Sequence, residues 1–81
     1  PALVSVSNTS GLAGIAHWIN TYFRLKKEDM VDKNSELVHM VKAWVDKEYE
    51  SGRVTVLTDE ELLRVIADAC EKTGVQIVQE A

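Results

Sequence analysis

From Leu12 onward, apolar residues fall at Leu12, Ile15, Ala16, Ile19 and Phe23, three or four positions apart, which places them on one face of a helix. A second stripe of helical period runs through Leu37, Val38, Val41, Trp44, Val45 and Tyr49, with Met40 at its edge. A third turns Leu62, Leu63, Ile66, Ala69 and Cys70 inward. The punctuation agrees with three helices. Asn8, Thr9 and Ser10 are N-cap candidates before the first, and Asn34 or Ser35 before the second. Ser51-Gly52 closes the second, glycine being the common left-handed residue after a helix end. Thr58-Asp59-Glu60-Glu61 has capping-box spacing: Thr58 accepts from the Glu61 amide while the Glu61 carboxylate reaches back to the Thr58 amide. Thr73-Gly74 ends the third helix.

The stretches between are less regular. Arg24 to Lys33 is charge-rich, with Leu25, Met30 and Val31 as its large apolar groups, and reads as a connecting segment. Arg53 to Leu57 is short and β-branched, so it is extended or a turn. At the ends, Ala2 to Ser7 partly alternates and Val75 to Val78 is strand-like, which predicts extended segments that pair with each other or with another chain. The predicted fold is mainly α, a single three-helix accessory domain over residues 1–81 with short extended segments at the termini.

Composition narrows the function classes. A chain of 81 residues is one domain. It buries only about 60% of its unfolded surface, so its stability is marginal without a partner. Nine basic against 13 acidic residues give a net charge of −4, which repels a phosphate backbone and disfavours nucleic acid as a partner. The apolar stretches fall far short of the roughly 18 residues a membrane span needs. One cysteine, Cys70, forms no internal disulfide and no multi-cysteine zinc site. A lone reduced thiol, with no sequence resembling a secretory leader, points to the cytoplasm. Pro1 in place of a methionine points to a processed product or a piece of a longer chain.

Little in the side chains looks catalytic. His17 and His39 lie on different predicted helices, neither with a second ligand one turn away, so no metal site is expected in this chain. Cys70 falls on a core stripe, where it acts as a small hydrophobe. The groups Glu28-Asp29-Asp32, Asp46-Glu48-Glu50 and Asp59-Glu60-Glu61 sit in solvated contexts or at a helix start, so no acid–base pair is assigned. Trp18, Tyr22 and Trp44 border the helical stripes and are interface candidates, because so small a core does not easily enclose both tryptophans. Gly11 and Gly14 each cost about 1 kcal/mol against alanine in a helix interior. The reason expected for them is close approach of another backbone or of a ligand, including an anion received at the helix start.

Ser10-Gly11-Leu12-Ala13-Gly14-Ile15-Ala16-His17-Trp18-Ile19 resembles the Ser-Gly-x-Ala-x-(Val/Ile)-x-His-x-Leu helix that follows the catalytic barrel in 2-isopropylmalate, homocitrate and citramalate synthases. Trp44-Val45-Asp46 and Thr55 to Leu62 also look like that family's post-barrel helices, so the likeness covers about three quarters of the chain. The resemblance implies a C-terminal lid, linker or dimer-contact domain of an enzyme that condenses acetyl-CoA with a 2-oxo acid. Catalysis and the divalent metal would reside in a TIM barrel outside this chain, so no catalytic residue and no cofactor are assigned to it. Ser10, Gly11, Gly14 and His17 become the expected barrel or ligand contacts. The implied partners are the barrel, a second subunit, and acyl-CoA and 2-oxo acid through the parent enzyme. Two departures stand out: Ser7-Asn8-Thr9 replaces a frequent Gly-Lys-His, and Leu12 replaces a frequent arginine. They leave open which 2-oxo acid is used.

Two other readings compete. An acyl-carrier-like protein would use Ser35 as its phosphopantetheine acceptor, although Asn34-Ser35-Glu36 departs from the usual Asp-Ser-Leu. A free-standing interaction module would instead present Trp18 and Trp44.

Overall fold

The computed structural model describes residues 5–77. Helix α1 spans Leu12–Tyr22, α2 Glu36–Glu50 and α3 Asp59–Thr73, with a short 3₁₀ turn at Lys27–Asp29. The three predicted helices are present, and the domain is mainly α. Among the described residues there is no strand, and Ser5 to Ser7 and Val75 to Ile77 are irregular. The rest of both expected extended segments lies outside the described residues. No helix of the described chain is long and apolar enough to cross a membrane.

Helix α2 is the centre of the fold, since α1 and α3 each pack on it and not on one another. Its inward face, Leu37, Val38, Val41 and Val45, is almost fully buried because it is covered from both sides. Ile15, Ala16, Trp18 and Ile19 come to it from α1, and Leu62, Ile66 and Ala69 from α3. Three residues outside the helices complete the core: Val6, Leu25 and Leu57. Val6 and Leu57 are also tied by a hydrogen bond from the Leu57 amide to the Val6 carbonyl, 3.0 Å. That bond joins the segment leading into α1 to the loop leading into α3.

The helix ends show how far local chemistry decided the structure. Helix α3 begins with the full capping box, Glu61 N donating to Thr58 Oγ1 at 3.1 Å and Thr58 N to Glu61 Oε1 at 3.0 Å. Ser35 caps α2 by accepting from the Val38 amide. Helix α1 departs from expectation. Its N-cap is Gly11, with no side-chain cap, because Ser10 Oγ is already engaged by the Ser7 amide in the preceding turn. At its far end the Leu25 amide donates to Asn20 O and the Arg24 amide to Thr21 O, the Schellman closure, with Arg24 in the left-handed region at φ 53°. Helix α2 closes the same way with glycine, Gly52 donating to Tyr49 O and Arg53 to Glu48 O. The connection after α1 is fastened by Asn20, whose side chain donates to Val31 O at 3.1 Å and accepts from Val31 N at 2.8 Å.

Candidate functional site

The first turn of α1 forms one wall of a hollow of about 290 Å³. Ser10, Ala13, Gly14 and His17 line it from the helix side, with Val6 and Trp18 contributing apolar surface. The local sequence explains the opening. Small residues at positions 10, 11, 13 and 14 leave the outer face of the turn without bulk, while Ile15 and Trp18 are drawn into the core. Three of the four residues expected to make contacts, Ser10, Gly14 and His17, therefore converge on one hollow. Gly11 sits at the helix start beside it, exposed and outside the lining.

The reason expected for the glycines is not found among the described residues. A Cβ at Gly14 would meet only Ser10 Cβ at 3.7 Å, an ordinary contact, and one at Gly11 would meet nothing within 4 Å. No described part of this chain approaches that face closely enough to demand glycine. His17 is exposed, and its Nε2 shares a hydrogen bond of 3.4 Å with Thr21 Oγ1 one turn along. The hollow thus offers two hydroxyls, those of Ser5 and Ser10, an imidazole and apolar walls, and its described lining has no carboxylate.

The aromatic candidates separate. Trp18 is 3% exposed and belongs to the core, so the described fold removes it from the free surface. It is enclosed because Tyr22 stacks on it at 4.7 Å between ring centroids and 11° between planes, with Phe23 edge-on to Tyr22 at 5.2 Å. Tyr22 is half-buried. Trp44, also half-buried, lines a different groove of about 420 Å³ between α2 and α3, with Glu61, Arg64, Val65 and Asp68.

Other polar groups fall elsewhere. His39 is exposed on α2, and among the described residues no three His, Cys, Asp or Glu side chains are grouped to hold a metal ion. Cys70 is half-buried, and burial pushes its thiol pKa up, which lowers its nucleophilicity at neutral pH. Sequence reasoning missed Arg53. Its guanidinium pairs with both Glu61 oxygens, reaches Glu48 at 3.2 Å, and donates to the carbonyls of Thr55 and Val56. The guanidinium holds the Glu61 carboxyl down at about 2, helped by the Thr58 amide. The spacing of oppositely charged residues gave no sign of this, because the contacts span five and eight positions across a loop.

The chain is similar to segments of two citrate (Re)-synthases. It is 47% identical over 77 residues to the Clostridium kluyveri protein, covering 90% of this chain and 17% of that one. It is 42% identical over 62 residues to the Syntrophus aciditrophicus protein, covering 76% of this chain and 10% of that one. The chain therefore spans less than a fifth of the length of these curated relatives. No family model matches it, and no solved structure matches it. The match to a small part of longer synthases agrees with the expected fragment of a synthase-like enzyme. The product in the relatives' names is citrate rather than isopropylmalate or homocitrate.

Proposed function

We infer that this chain is a helical accessory segment of a citrate (Re)-synthase-like enzyme. The observation that supports this reading is 47% identity across 90% of the chain to a protein of which it covers only 17%. Citrate is oxaloacetate carrying one added carboxymethyl group. The reaction of the whole enzyme is then addition of the acetyl-CoA methyl carbon to the oxaloacetate ketone, followed by water cleaving the thioester to release free CoA. That is the same condensation of an acyl-CoA with a 2-oxo acid that the Ser10 to Ile19 motif implies.

The segment's share in that reaction is positional. Ser10, Gly14 and His17 present their hollow to the catalytic part of the enzyme, with Gly11 at its edge, and Tyr22 and Trp44 supply further apolar contact to that part or to a second subunit. The divalent metal implied by the resemblance does not fit the described residues, which provide no grouped ligands, so no step on this segment is routed through it. A cytoplasmic location is part of this reading, with Cys70 as a reduced thiol.

Peptide mapping of a size-fractionated extract of the source cells tests this reading. Peptides of this chain should run with a much larger protein, in fractions that release CoA from acetyl-CoA when oxaloacetate is added and that form citrate. Migration at 9.0 kDa, or a larger carrier that forms no citrate, overturns it.

A further inference from the structure

The loop between α2 and α3 is held more firmly than an ordinary surface connection, yet it turns apolar side chains outward. Val54 is 92% exposed and Val56 52%. Around them the backbone is fixed at nearly every residue. Arg53 N donates to Glu48 O, and the Arg53 side chain donates to Thr55 O at 3.1 Å and Val56 O at 3.0 Å. Tyr49 Oη also donates to Thr55 O, and Leu57 N donates to Val6 O. Leu57 is anchored in the core at 4% exposure. Arg53 is itself clamped between Glu48 and Glu61. A loop fixed from both ends and along its length has already lost the conformational freedom that binding would otherwise cost. Two β-branched side chains on such a frame form a preorganised apolar projection.

Its surroundings define the partner. From Lys47 to Glu61 five carboxylates stand against two cations, and one of those cations, Arg53, is already paired with Glu48 and Glu61. Glu50, Asp59 and Glu60 are exposed on the two helix ends that flank the loop. The loop also lies at the same end of the molecule as the α1 hollow, since Leu57 is bonded to Val6, a residue of that hollow's wall.

The geometry points to the Val54–Val56 loop as a preformed prong that seats in an apolar socket rimmed by lysine or arginine on the catalytic part of the longer enzyme. This inference rests on the reading of the chain as a segment of a synthase, and adds the surface and the chemistry of its partner. Docking there brings the Ser10, Gly14 and His17 hollow against the same body. The acidic flanks select a basic rim through charge complementarity and reject an acidic one.

The test uses the full-length protein that contains this chain, with Val54→Cys as a reporter. Because Val54 lies in solvent, the replacement leaves the core untouched. Labelling of the introduced thiol by a charged maleimide is followed by peptide mass spectrometry, folded and in urea. A seated prong slows labelling by about tenfold or more in the folded protein, since the centre of an interface excludes solvent. A cysteine-to-amine crosslinker placed on the same thiol should then capture lysines outside this segment. Labelling within about twofold of the unfolded rate, or crosslinks confined to another copy of this segment, overturns the proposal. If citrate forms but the introduced thiol labels freely, the prong fails and the synthase reading stands. If that thiol is protected in a larger protein that forms no citrate, the synthase reading fails, and the assignment of the socket to its catalytic part falls with it.

Discussion

Arg53 joins three parts of the fold that are separate in sequence, and the pH response of the domain should show it. Its bond to Glu61 lowers that carboxyl from its usual 4.5 to about 2, with the Thr58 amide contributing next. A carboxylate whose folded pKa is depressed adds stability that is complete above its unfolded value and disappears as pH falls through its folded value. The Glu61 contribution is therefore whole above about pH 5, declines below about 4.5, and is gone near 2. Arg53 moves the other way, raised by Glu61 and then Glu48, and stays charged across the whole accessible range. Urea unfolding of the native chain and of Glu61→Gln should show a gap between their midpoints at pH 7 that narrows steadily below pH 4.5. A gap independent of pH would mean that the substitution acts through geometry rather than through the lost charge, since glutamine at this position can still complete the capping box. None of this was legible in the residue pattern, which marked Glu61 as a helix cap and left Arg53 at the start of a short segment read as extended or a turn.

The three helices were readable from their apolar stripes because α2 is covered on both sides and each partner helix must present a continuous face. Their ends were readable only where the capping chemistry is carried by a characteristic residue. Thr58 with Glu61, Ser35, Gly52 and Gly74 fulfil that condition, and those boundaries agree with the sequence. Helix α1 does not. Its serine and threonine run is consumed by the Ser7 to Ser10 turn, so the cap falls on Gly11. Its C-terminal closure places Arg24 where glycine is usual, so the pattern shows only a charge-rich connection. An L-residue at φ 53° carries a steric cost that glycine avoids. Arg24→Gly should therefore stabilise the domain by about 0.5–1 kcal/mol, less whatever the greater freedom of glycine in the unfolded chain takes back. The shift in the urea midpoint measures it, and a clear destabilisation would show that the Arg24 side chain contributes more than its backbone costs.

At the scale of the molecule, one end of the bundle gathers features that the sequence scattered. The small residues of α1 were visible as a motif: the helix cost of Gly11 and Gly14 already called for close contact, and the resemblance to post-barrel helices assigned that contact to the barrel or a ligand. The valines at 54 and 56 gave no such signal, because a β-branched run reads equally well as a buried strand. Only the Leu57 to Val6 bond shows that hollow and loop share an end. Gly14 separates what this end does for folding from what it does for assembly. Among the described residues a Cβ at position 14 meets only Ser10 Cβ, at an ordinary contact distance, and leucine gains helix propensity, so Gly14→Leu should raise the stability of the domain by a few tenths to about 1 kcal/mol. If the hollow is docked in a longer enzyme as proposed, the same side chain displaces what packs there. The expected pair of results is a domain that unfolds later in urea and an enzyme that loses citrate formation or subunit association. A gain in both would show that the hollow stays open in the whole protein, and a loss in both would show that α1 needs its glycine for folding. The opposed signs are what a docking face requires: its small residues are costly to the segment alone, and their benefit appears only against the rest of the enzyme.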